Sequence, residues 1–100
     1  MPYQIKSERV SGVDPKTFRE GGKRHYNVRI YIDATGGDSL ERVRSVTYEL
    51  HPTFRQRIQV SEIMDTQFEI RIWTYGYFNA KATLRMRDDT LQEIQGFIKW

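Results

Sequence analysis

The chain has 100 residues, and its 16 Lys and Arg stand against 13 Asp and Glu for a formal charge of +3. That length fits one domain, residues 1–100, with a single modest core. The absence of cysteine excludes disulfides, thiolate zinc sites and cysteine nucleophiles, and suits a reducing compartment.

The first residues, Met1 to Lys6, hold no apolar run, so no signal peptide is visible. No stretch approaches the roughly 18 apolar residues of a spanning helix. A cytoplasmic protein without membrane contact is the expectation. Tyr3 to Val10 reads as a weak first strand, followed by turn residues at Asp14-Pro15 and Gly21-Gly22. Tyr26 to Ile32 alternates cleanly, with Val28, Ile30 and Ile32 on one face. Gly36-Gly37-Asp38 marks a turn. Ser39 to Val43 is short and reads as strand or a single helical turn. Val46, Tyr48 and Leu50 share a face, and Arg57 to Val60 forms a short strand. Phe68, Ile70 and Ile72 alternate against Glu69, Arg71 and Trp73. Phe78, Ala80, Ala82, Leu84 and Met86 alternate against polar neighbours. Asp88-Asp89 makes a hairpin turn, and Ile94 to Trp100 supplies the last strand. Period two throughout predicts half-buried antiparallel strands. The fold class is therefore all-β, an immunoglobulin-like β-sandwich of about seven or eight antiparallel strands.

Little in the chain points to catalysis. His25 and His51 are the only histidines, and no carboxylate cluster joins them into a metal site. The serines lie in no nucleophile-elbow context. Neither glycine pair has the strand-to-helix setting and lysine of a phosphate loop. The expectation is a protein that is not an enzyme and has no cofactor and no metal. Arg29, Arg71, Arg85 and Arg87 alternate along strands instead of clustering, which disfavours nucleic acid as a partner.

Two runs stand out. Val46-Thr47-Tyr48-Glu49-Leu50-His51-Pro52-Thr53-Phe54 ends a strand in histidine, proline, hydroxyl and aromatic residues. Some twenty residues on, Trp73-Thr74-Tyr75-Gly76-Tyr77-Phe78 does the same with tyrosines around a glycine. Proline biases its predecessor away from helix, and glycine permits a positive φ at Gly76. Such aromatics can cap a sandwich core, or they can line a small pocket at its end.

Both runs resemble the ligand loops of the YEATS domain, an acyl-lysine reader. That family carries Val-x-Tyr-x-Leu-His-x-Ser/Thr-Phe/Tyr and, later, Gly-Trp/Tyr-Gly-x-Phe before a strand. The likeness extends over Tyr26 to Met86 in the right order, and the compact form looks most like the prokaryotic group. It implies a non-catalytic module recognising an acylated lysine, or a similar flat acyl-amide, between two aromatic loops. Phe54 and Tyr75 would be the walls, and Thr53 would bond the amide oxygen. Gly76 and Tyr77 would give backbone contacts, Phe78 a deeper apolar wall, and His51 would orient the first loop. A planar neutral amide stacks on aromatic faces, whereas a free ammonium would lose its hydration in such a slot. The sequence departs from the family pattern twice. Thr74 stands where a glycine often opens the second element. No aromatic lies near Gly22, although Phe18 is a few residues away. The partner implied is an acylated-lysine protein or peptide. The alternative is a protein–protein interaction or oligomerisation domain with a vestigial pocket, binding another protein surface.

Overall fold

The computed structural model describes residues 3–17, 24–34, 40–52, 54 and 56–100. In chain order the strands are β1 (Tyr3–Arg9), β2 (Lys16–Thr17), β3 (Arg24–Ala34), β4 (Val43–Glu49), β5 (Ile58–Ser61), β6 (Ile70–Thr74), β7 (Phe78–Met86) and β8 (Leu91–Ile98). Two single 3-10 turns, Leu40–Arg42 and Met64–Thr66, interrupt them. The patch before Val43 is thus a single turn. No helix among the described residues is long and apolar enough to cross a membrane.

β3 is the axis of the first sheet. β1 and β6 pair antiparallel along its two sides, and β2 pairs with its first two residues. The second sheet has the order β5-β4-β7-β8, also antiparallel. Inward residues of the two sheets form one core: Val28, Ile30, Ile32, Val46, Tyr48, Leu50, Phe68, Ile70, Ile72, Leu84 and Met86 are each at most 8% exposed. These are the positions that period-two alternation assigns to the buried face. The chain is an immunoglobulin-like sandwich.

The polar face of β3 is organised by charge. Arg29 lies directly across from Arg71 on β6, a like-charge pairing that costs stability unless something intervenes. Glu69 intervenes. It ion-pairs with both guanidinium groups, while Glu8 on β1 takes a second hydrogen bond from Arg29 at 2.8 Å. The Arg29 guanidinium also stacks 4.0 Å above the Tyr31 ring. Burial works against the charge of Arg29, but Glu8 and Glu69 outweigh it and hold its pKa above the ordinary value.

Some boundaries differ from the sequence reading: the last strand runs Leu91–Ile98 and not Ile94 to Trp100, and the short strand read at Arg57 to Val60 is Ile58–Ser61. Phe68 lies outside β6, which starts at Ile70. Gln67 and Phe68 both adopt left-handed backbone, with φ of 60° and 56°. That conformation is uncommon for side chains of this kind and is held only where surroundings fix it. Here the Gln67 carbonyl accepts from Ile32 N–H at 3.0 Å, and the Phe68 N–H donates to the Ile63 carbonyl at 3.0 Å. The Tyr48 hydroxyl donates to the Phe68 carbonyl at 2.5 Å. Phe68 still buries its ring, so alternation found the burial but not the turn. Tyr48 itself is fully buried, and that burial pushes its phenol pKa far up, keeping it a donor.

The sheets also close along one edge. The Ser7 hydroxyl donates to the Lys99 carbonyl at 2.7 Å and accepts from the Lys99 N–H at 3.2 Å, tying β1 to the segment after β8. Gly96 makes that approach possible. A Cβ placed on it would lie 3.0 Å from Ile5 Cβ and 3.4 Å from the Ile5 carbonyl oxygen.

Candidate functional site

Antiparallel pairing fixes where the two aromatic loops emerge. β4 ends beside the start of β7, since Glu49 pairs with Lys81. β6 ends beside the start of β3, since Thr74 pairs with Tyr26. The loop from β6 to β7 therefore crosses from one sheet to the other at the end of the sandwich where the β4–β5 loop leaves. Both runs lie at the same end.

The first loop is shaped by a turn. Leu50 N–H donates to the Arg57 carbonyl at 2.6 Å, closing the base, and Phe54 N–H donates to the His51 carbonyl at 3.0 Å. Pro52 is the second residue of that His51–Phe54 turn, where its fixed φ is favourable. The turn folds Phe54 back over the core. Its ring is half-buried and lies 5.0 Å from the ring of buried Phe78, tilted at 53°. His51 is exposed, and its carbonyl is the acceptor that defines the turn. Thr53 lies outside the described residues, as do Phe18, Gly21, Gly22, Gly36 and Gly37.

The second loop is pinned by its own threonine. The Thr74 hydroxyl donates to the Gly76 carbonyl at 3.0 Å and accepts from the Gly76 N–H at 3.3 Å. Serine and threonine make such local turns with nearby backbone. This explains a departure from expectation: Gly76 does not use a positive φ, and among the described glycines Gly12 (φ 76°) is the one that does. With the hydroxyl spanning the turn, the backbone closes in an ordinary conformation. A Cβ on Gly76 would meet nothing within 4 Å.

Tyr75 is 51% exposed, and its ring and that of His25 meet edge to face, with centroids 5.1 Å apart at 74°. Tyr77 faces elsewhere. Its hydroxyl donates to the Trp100 carbonyl at 3.1 Å, and its ring meets Trp100 and Phe97 edge-on at 5.3 and 6.0 Å. The structure thus brings Phe54 and Phe78 together, sets Tyr75 beside His25, and turns the Tyr77 side chain toward β8. Sequence reasoning missed His25, Trp100 and the latch at Thr74. The signal for His25 was the β3–β6 register, because Tyr26 opposite Thr74 places His25 next to Tyr75.

Among the described residues no group of three or more His, Cys, Asp or Glu is placed to hold a metal ion. The chemistry on offer is apolar faces, two exposed tyrosines and backbone donors, an arrangement suited to binding and orienting a ligand.

The family model of the prokaryotic YEATS domain matches residues 26–99. Among solved structures, a Yaf9 YEATS domain recognising a succinylated histone H3 peptide has a TM-score of 0.68 at 14% identity, over 97% of this chain and 69% of the other. The yeast AF-9 homologue Yaf9 gives 0.69 at 15% identity, over 97% and 64%. A Yaf9 YEATS domain bound to an acetylated histone H3 gives 0.68 at 14%, over 98% and 68%. At these identities the likeness concerns the fold, and the chain spans about two thirds of the length of those structures. No curated protein sequence matches the chain.

Proposed function

Because the chain belongs to the prokaryotic YEATS domain family, we propose that it is a non-catalytic binding module taking an acylated lysine between the His51–Phe54 and Tyr75–Phe78 loops. The supporting observation is geometric: both loops leave the same end of the sandwich, one with Phe54 laid on Phe78 and the other with an exposed Tyr75. In this reading Phe54 and Tyr75 form the walls and Phe78 the floor. Thr53 bonds the amide oxygen, and His51 shapes the first loop. Gly76 and Tyr77 contribute backbone contacts. An acyl-lysine amide is planar and neutral, so it stacks on these faces at low desolvation cost.

Titration of acetyl-, crotonyl- and unmodified-lysine peptides, followed by NMR, tests this reading. An acyl peptide should bind with a Kd of roughly 10 µM to 1 mM, since one small stacked group buries little area. Tyr75→Ala should abolish binding and leave the melting curve unchanged, because an exposed wall is lost without opening the core. Equal affinity for modified and free lysine refutes the proposal. The second reading, a protein-interaction domain, draws on the exposed Ile58 and Val60 of the edge strand β5. Failure of every acyl form to bind at millimolar peptide favours it.

A further inference from the structure

A second group of aromatics lies beside the Tyr75–Tyr77 loop. Trp100 sits between two tyrosines: its ring is 4.5 Å from that of Tyr26, tilted at 39°, and 5.3 Å from that of Tyr77, nearly perpendicular at 84°. The Arg9 guanidinium covers Tyr26 at 4.5 Å. Ser7 fixes Lys99 through both of its backbone groups. A continuous set of contacts therefore runs from β1, through Tyr26 and Trp100, to Tyr77.

We propose that Trp100 is a positioning residue for the Tyr75–Tyr77 loop, acting through Tyr77, and so for the acyl-lysine site. Its effect on ligand rests on the function proposed above; its effect on the loop does not. Several contacts anchor the loop. Thr74 latches Gly76 from within, and His25 meets Tyr75 edge to face. At Tyr77, 57% exposed, the side-chain contacts are with Phe97 and Trp100, and Trp100 supplies both a ring and the carbonyl that accepts the phenol. Releasing Tyr77 removes a side-chain anchor between the Thr74 latch and buried Phe78, which pairs with Ile98, and Tyr75 and Gly76 lie in that stretch.

The seat of Trp100 is held by ring packing rather than by its indole N–H. That N–H is buried and has no hydrogen-bond acceptor among the described residues, an arrangement that opposes the ring's position. Phenylalanine keeps a stacked ring and removes the unpaired donor, so Trp100→Phe is a rescue variant for Trp100→Ala.

The experiment is amide hydrogen exchange by NMR on wild type, Trp100→Ala and Trp100→Phe, with the acyl-lysine peptide titration alongside. In Trp100→Ala, exchange at Gly76 should quicken about tenfold, equivalent to about 1.4 kcal/mol of local stability. Ile70 and Ile72 should keep their wild-type rates. Acetyl-lysine affinity should fall about fivefold or more, and Trp100→Phe should restore both readouts to within about twofold. Unchanged exchange at Gly76, or equal acceleration at Ile72, overturns the proposal. Should Trp100→Ala not fold, Tyr77→Phe removes only the hydroxyl that reaches the Trp100 carbonyl. It should quicken Gly76 exchange about threefold with Ile72 unchanged, and no change overturns the proposal. If wild type binds no acyl-lysine peptide, the functional reading fails, and the exchange data alone decide the role of Trp100.

Discussion

Replacing Tyr48 with phenylalanine removes one hydroxyl from the core and leaves the ring volume in place. The hydroxyl is fully buried and donates to the Phe68 carbonyl at 2.5 Å, joining the second sheet to the left-handed turn that leads into β6. A neutral hydrogen bond contributes about 0.5–1.5 kcal/mol net, and stranding a buried partner costs about 1–3 kcal/mol. No cavity forms, so packing adds little. The expected loss is about 1–3 kcal/mol, the upper part applying if the Gln67–Phe68 turn relaxes. For a domain of this size each kcal/mol is worth about 4–8 °C in Tm. Urea melts of wild type and Tyr48→Phe give the value directly, and an unchanged m indicates that the native surface is the same. A loss under about 0.5 kcal/mol would refute the claim that this hydroxyl holds the turn.

Other expectations follow from the same structure. Leu50→Ala truncates a side chain 4% exposed beneath the first loop and should cost about 2–5 kcal/mol in denaturant melts. Gly96→Ala forces a Cβ to within 3.0 Å of Ile5 Cβ and should cost about 1–3 kcal/mol by overpacking. Gly76→Ala meets open space at ordinary φ and should leave Tm within about 3 °C of wild type, so equal losses at the two glycines would contradict the geometry. Asp88 accepts from the hydroxyl and backbone N–H of Thr90 in the β7–β8 turn, and these bonds hold its pKa below the free value of 3.8. A depressed carboxylate pKa stabilises the fold above the unfolded value and loses that contribution as pH falls through the folded one. The Tm difference between wild type and Asp88→Asn should therefore be present at pH 7 and shrink below pH ~3.8; a difference independent of pH would rule out the carboxylate as its source.

Much of this was readable in the sequence because burial in a sandwich follows a period of two. Val28, Ile30 and Ile32 declare their face without reference to any partner. What could not be read depends on contacts between distant segments. Gln67 and Phe68 carry no turn signal, since neither is glycine, asparagine or aspartate. Their left-handed backbone is held by a hydroxyl 20 residues away in sequence. The two-residue β2 exists only because β3 is long enough to extend beyond β1 and β6. At the site, the loops themselves were visible as aromatic strand ends. The pairing of Tyr75 with His25 and of Tyr77 with Trp100 was not, because each depends on strand register. Thr74 looked like a departure from the family pattern, yet its hydroxyl supplies the turn that a glycine would otherwise make possible.

The motif that identifies the family mixes two kinds of residue, and the structure separates them. Tyr48 and Leu50 are buried and hold the sheets at their spacing; His51, Pro52 and Phe54 follow them in the chain and shape a loop that rests on Phe78. The second motif divides the same way. Thr74 and Phe78 are buried, and Tyr75 and Tyr77 are exposed. The two loops therefore owe their relative position to the packing of the sheets that bear them, because the β6–β7 loop crosses between those sheets. A substitution beneath a loop, at Leu50 or Phe78, changes the spacing of the sheets before it changes the loop's own chemistry. A substitution at Tyr75 changes the chemistry and leaves the spacing alone. Binding lost together with stability therefore reports on the sandwich, and binding lost without it reports on the site.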